Sequence, residues 1–262
     1  MVLIKDYYFV SSSLPRLELG HPSSLRFKEY IRLLEENLTK QDFAQVVTLR
    51  HLYDIQNLFF LISNRPLINM GNFDKEGLNQ ALRFQEGLPE YVFDFWEEYD
   101  TDEEKKLYFS KLYHDFFSYE IQNSQGFLKG YLEFERSLRL ILLALRAKEV
   151  KKDVVKELQF ESSHDDLIVH ILSQKDASKY EPPQDFVKIK EIFEGIKGNP
   201  LELNRKFSEY RFEKIEELYA AQTFSLDRLL AYLAQLMIVE QWQSQNQQKG
   251  EALVNAMVKE LL

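Results

Sequence analysis

The chain has 262 residues with 42 acidic against 33 basic side chains, a formal charge of -9, and no local basic stripe; its size allows one large domain or two to three small ones, and its charge excludes a general binder of phosphate backbones. The absence of cysteine excludes a disulfide framework, a thiolate zinc site and a cysteine nucleophile, and fits a reducing cytoplasm. Lys5 and Asp6 break the opening before an apolar run can grow, and the runs Leu138 to Ala147 and Leu229 to Val239 fall short of the roughly 20 residues that span a bilayer, so no targeting peptide is expected and any work at a membrane is expected to go through other subunits.

The opening Tyr7-Tyr8-Phe9-Val10 followed by three serines reads as a short strand or an extended arm. Beyond residue 15 the apolar period is close to 3.6 throughout. Ser23 or Ser24 is expected to start a helix through Leu38, and a second helix runs from about Gln41 to Ser63, ended by Arg65 and Pro66. Asp74 caps a short helix to about Gln85, Pro89 opens another through Trp96, and Thr101 with Glu104 forms a capping box. The segment from Thr101 to Lys148 is too long for one uncapped helix and is expected to break near Asn123 to Gly126. Ser163 with Asp166 opens a helix to about Gln174, Pro182 and Pro183 precede one through Ile196, and Gly198-Asn199-Pro200 marks a sharp break. Three helices follow, at about 201–221, 225–245 and 250–262. Ser225 and Asp227 suit the start of the second, whose body from Leu229 to Val239 is apolar on nearly every side. The fold class is therefore all-α: packed helical bundles in a single polypeptide, with modules expected at 1–100, 101–198 and 199–262 and a short extended N-terminal arm.

Polar residues that interrupt apolar helices are the candidate functional positions. Asp54 and Asn57 sit in the second helix; Glu133, Glu135, Arg136 and Arg139 sit beside Leu138, Leu140 and Ile141; Glu240 closes the body of the helix from Ser225. A buried acid is costly unless paired, and arginine in such a setting either pairs internally or forks toward a partner carboxylate. An acid followed three residues later by a polar residue recurs at Asp54/Asn57, Glu133/Arg136 and Glu213/Glu216, a weak internal repeat. Asp166 and His170 share a helix face, but no third ligand accompanies them, so a charged first turn holding Asp165 and Asp166 is the better reading. His114-Asp115 lies on an aromatic face without a nucleophile signalled beside it. No phosphate-cradling glycine loop or serine elbow occurs. The residues thus point to a non-catalytic protein without cofactor or metal.

The segments DYYFVSSSLPRLELG from Asp6, FERSLRLILLALRAK from Phe134, and FSLDRLLAYLAQLMIVEQWQSQNQQKG from Phe224 resemble a bacterial family of uncharacterised proteins found beside V-type ATPase subunits. That family in turn resembles, remotely, the C-type (eukaryotic d-type) stalk-socket subunit of the V/A-type ATPase. Leu229-Leu230-Ala231-Tyr232-Leu233 matches the C-terminal pattern of the stalk-socket family, whereas Gln241, Trp242 and Gln243 stand where its members have basic and Asn residues. The resemblance implies a funnel-shaped, all-helical, non-catalytic subunit on the cytoplasmic face of the membrane. It would link the central stalk to the rotor ring and transmit torque in ATP-coupled ion or proton transport. Asp54, Asn57, Glu133, Arg136, Arg139, Tyr232, Glu240 and Trp242 are the candidate partner-binding residues under this reading. The alternative is a free-standing helical adaptor that uses the aromatic face from Tyr91 to Tyr119.

Overall fold

The computed structural model describes the backbone of residues 7–196, 198–219 and 224–260, with side chains through Ser244. Twelve α-helices and no strand occur among these residues. In chain order they are α1 (Tyr8–Ser13), α2 (Phe27–Asn37), α3 (Lys40–Ile62), α4 (Lys75–Phe84), α5 (Glu90–Glu98), α6 (Asp102–Asn123), α7 (Gly126–Glu149), α8 (Val154–Glu157), α9 (Asp166–Ser173), α10 (Val187–Gly195), α11 (Pro200–Tyr219) and α12 (Leu226–Glu260). None is long and apolar enough to cross a membrane. They gather into two compact units: the described residues of 1–45 and 199–262 form one, and 46–198 form the other.

Several boundaries follow from local chemistry read directly in the sequence. Asp74 accepts a hydrogen bond from the Gly77 amide at 2.8 Å and opens α4. Thr101 and Glu104 form the reciprocal capping box of α6, and Gly126, at φ 59°, makes the turn between α6 and α7. Lysines close two helix ends, where a helix leaves its last carbonyls without intrahelical amide partners. Lys105 Nζ donates to Tyr99 O at 2.5 Å and Asp100 O at 3.1 Å just past α5, and Lys148 Nζ donates to the carbonyls of Gln174, Lys175 and Ala177 at 2.5 to 2.8 Å just past α9.

Four expectations are corrected. The N-terminal segment is helical, not extended: Tyr7 N–H donates to Phe224 O at 2.8 Å, and Ser12 and Ser13 return their hydroxyls to Phe9 O and Val10 O, a local pattern that closes a helical turn. The next helix begins at Phe27 rather than Ser23 or Ser24, because its N-terminal acceptor comes from far along the chain: Glu240 accepts the Phe27 amide at 2.6 Å, while Glu29 folds back to the Arg26 amide at 3.0 Å. Asp165, not Ser163, caps α9, its Oδ1 accepting from the Leu167 and Ile168 amides at 2.9 and 3.1 Å. The backbone of α12 continues through Gly250 to Glu260 without the expected break; one glycine inside a helix costs only about 1 kcal/mol. The expected ends at Ala221 and Leu262 lie outside the described residues.

In the unit formed by the chain's two ends, α12 is the centre. Every residue from Leu229 to Val239 is buried, Gln235 included, and α11 and α2 pack against it. Tyr232 meets Tyr30 edge-on at 5.0 Å, and the Tyr30 hydroxyl donates to Leu229 O at 3.0 Å. In the unit spanning 46–198, α6 and α7 form a hairpin, and Phe109 of α6 meets Phe59, Phe95 and Tyr113 at 5.0 to 5.8 Å. Edge-on and tilted rings of this kind supply stiffness as well as buried area.

The Glu240 contact gives α2 both a hydrogen-bond acceptor and a negative charge at its positive end. Glu240→Ala is expected to lower unfolding stability by about 1 kcal/mol, and Glu240→Gln by less, since the amide oxygen still accepts; urea titration reads both.

Candidate functional site

On α3 the polar residues Arg50, Asp54 and Asn57 recur at spacings of four and three, which places them on one helical face. All three reach the same loop between α3 and α4. Asn57 exchanges a pair of 2.8 Å hydrogen bonds with the backbone of Ile68. Arg50 donates through Nε to Met70 O at 3.2 Å and through Nη2 to Gly71 O at 2.5 Å. Asp54 accepts the Asn72 amide at 2.7 Å, the Phe73 amide at 3.2 Å and the Asn72 side-chain amide at 2.6 Å. A loop that would otherwise need water for its backbone is held by one face of a buried helix.

Asp54 and Asn57 are fully buried. Gly71 is the reason they can sit so close to the loop: a Cβ at that position would lie 2.3 Å from Asp54 Oδ1. Burial pushes the Asp54 carboxyl up to about 6, with the hydrogen bonds from Asn72 and Phe73 restraining the rise. His51, one helical turn before Asp54, is buried with both ring nitrogens lacking a hydrogen-bond partner. Burial, reinforced by the neighbouring Arg50 charge, pushes its imidazole down to about 4.

A second polar cluster joins α6, α7 and the stretch before α9. Glu161, whose side chain is only 5% exposed, accepts Arg136 Nη2 at 2.7 Å and faces His114 Nδ1 at 3.2 Å and Arg139 Nη1 at 3.9 Å. Arg136 Nη1 reaches Asp165 at 2.8 Å, so one guanidinium bridges two carboxylates. Arg139 also lies 4.3 Å over the Tyr113 ring. Burial alone would raise the Glu161 carboxyl, yet hydrogen bonds from His114 and Arg136 outweigh it and hold the group below its ordinary value. His114 Nε2 stands 3.5 Å from Ser118 Oγ, which aligns hydroxyl, imidazole and carboxylate. Ser118 lies inside α6, where the neighbouring backbone amides are engaged in the helix and are not free to stabilise a developing oxyanion. Two arginines facing two carboxylates make it a self-neutralised tie between helices.

The other singled-out residues lie elsewhere. Glu133 is exposed on α7, 4.0 Å from Lys129. Tyr232 and Glu240 face α2 in the unit formed by the chain's ends, and Trp242 lies under Arg205 at 5.0 Å. Gln243, one of the departures from the stalk-socket pattern, donates to His21 O at 2.8 Å and accepts from Arg26 at 3.3 Å. His170 Nε2 is 2.8 Å from Glu181 O, and no cluster of three or more metal-ligating side chains occurs among the described residues. Sequence reasoning missed Arg50, Gly71 and Glu161, and took Asp165 for one charge of a helix's first turn. The spacing of Arg50 to Asp54 was the available signal for the first; the others are recognised only through contacts made on folding.

A family model described as "Protein of unknown function (DUF2764)" matches residues 4–261. The chain belongs to that family. It is 31% identical over 262 residues to an uncharacterised protein of Chlamydia muridarum (strain MoPn / Nigg), covering 98% of both chains. A counterpart in Chlamydia trachomatis serovar D is 31% identical over 258 residues, covering 96% of this chain and 97% of the relative, and one in Chlamydia pneumoniae is 27% identical over 260 residues, covering 97% and 98%. No solved structure matches the chain.

The neighbours His51 and Asp54 pull stability in opposite directions with pH. Asp54, raised from 3.8 to about 6, binds its proton more tightly when folded, so its contribution is present below about pH 4 and lost as pH rises through 6. His51, lowered from 6.5 to about 4, releases its proton on folding, so its contribution is present above pH 6.5 and lost as pH falls through 4. Each is worth about 3 kcal/mol across the window. Relative to the native sequence, Asp54→Asn is expected to make stability climb more steeply between pH 4 and 6.5, and His51→Leu to make it climb less or fall. Denaturant midpoints measured across that range check both signs.

Proposed function

We infer that the chain is a non-catalytic subunit of a V/A-type ATPase that links the central stalk to the membrane rotor ring on the cytoplasmic face and transmits torque. The observation that carries the reading is the Leu229-Leu230-Ala231-Tyr232-Leu233 segment. It resembles the stalk-socket family and lies in a helix body buried on every side. A torque-bearing element must resist deformation, and buried helix bodies tied by aromatic pairs and bridged charges give that resistance without any cofactor. Polar groups of the kind found in the Arg50–Asp54–Asn57 face and the Glu161 cluster fix one geometry where an apolar surface would allow several.

A second reading, a free-standing helical adaptor, has its own support in exposed aromatic surface. Tyr8, Phe9 and Phe224 are 64%, 71% and 37% exposed, with Tyr8 and Phe224 rings 4.7 Å apart. On the face from Tyr91 to Tyr119, Tyr119 is 54% exposed, while the Tyr91 hydroxyl donates inward to Glu120 at 2.9 Å.

Affinity isolation of the endogenously expressed, tagged chain from gently solubilised membranes, followed by mass spectrometry, separates the two readings. The rotary reading expects stalk and ring subunits of a V-type ATPase in stoichiometric amounts. Recovery of a different stable partner without any ATPase subunit would replace it with the adaptor.

A further inference from the structure

The loop held by Arg50, Asp54 and Asn57 forms one wall of an open cleft of about 420 Å³ between the end of α3 and the start of α4. Asn64, Arg65, Pro66, Asn69, Phe73 and Lys75 line it. This volume falls in the range that holds small organic ligands, roughly 300 to 1,000 Å³. Its charge is unlike that of the chain as a whole. Arg65 and Lys75 against the single carboxylate of Asp74 leave the lining at +1 in a protein of formal charge -9.

The side chains of Arg65 and Lys75 are exposed and have no ion pair or hydrogen bond among the described residues. Asp74 is already engaged, its Oδ1 accepting from the Gly77 amide, so neither cation relies on it for a partner. Asn64 and Asn69 add side-chain amide donors, and Pro66, Phe73, Leu61 and Leu67 add an apolar wall. The cleft is also shaped in advance: Ile68, Met70, Gly71, Asn72 and Phe73 are all fixed through their backbone to α3. Preformed geometry lowers the ordering cost of binding. Guanidinium, ammonium and amide donors beside an aromatic wall suit an anionic head on an apolar body.

We propose that this cleft binds a small organic phosphate, with Arg65 and Lys75 on the phosphate oxygens and Phe73 against the apolar part. The inference is independent of the rotary reading, since any chain with this loop would carry the site. The test is a titration of the full-length 15N-labelled chain with phenyl phosphate, using benzyl alcohol as the uncharged counterpart. Saturable amide shifts confined to residues 61–75 are expected with phenyl phosphate and absent with benzyl alcohol. Arg65→Ala and Lys75→Ala should each weaken binding about tenfold, as the loss of a charge-assisted hydrogen bond does, while Lys28→Ala, a substitution on α2, should leave it unchanged. Both cleft residues are exposed, so neither substitution threatens folding, and far-UV circular dichroism confirms it. Absence of saturation, shifts reproduced by benzyl alcohol, or affinity indifferent to both substitutions would overturn the site.

Discussion

A carboxylate, an amide and a guanidinium on one face of α3 hold a loop that has no regular structure of its own. Asp54 is central: it accepts three donors from Asn72 and Phe73 while lying beyond the reach of solvent. Removing a carboxylate from water is costly, and the raised Asp54 pKa is the mark of that cost. The donors around it offset the cost only in one loop geometry, which is why Gly71 must lack a Cβ and why the path into α4 is fixed. Arrangements of this kind contribute shape more than net stability.

The same logic recurs at two other places. Glu161 gathers Arg136, Arg139 and His114 and so ties α6 and α7 to the stretch leading into α9. Glu240 reaches from α12 to the first amide of α2. In each case a charged side chain in a largely apolar setting ends on the terminus, loop or side chain of another element rather than on solvent. Apolar packing of Leu229 to Val239 and the rings around Phe109 supplies the bulk of the favourable burial; the charges decide which helix end meets which face.

Much of the fold was legible because it is written in neighbouring residues. The Thr101/Glu104 box, the Asp74 cap, Pro89 and the glycine turn at Gly126 act within a few residues of themselves, and the helices they delimit appear where expected. The failures share a cause. The starts of α2 and α9 moved because Glu240 and Asp165 cap them, the first from 213 residues away. The helical α1 depends on an anchor to Phe224. At the polar sites, Asp54, Asn57, Arg136 and Arg139 stood out as charges or amides inside apolar helices, a pattern that signals a buried partner without naming it. The partners are backbone atoms of the 68–73 loop and a glutamate 25 residues from Arg136, and no periodicity encodes either.

The most direct measurement is native-state hydrogen exchange at the amides of Ile68, Asn72 and Phe73. If the face of α3 holds this loop as described, these amides exchange only through opening as large as that releasing the α3 core amides around Asp54. Exchange at the rate of the exposed turn near Gly87, with α3 still protected, would contradict the account.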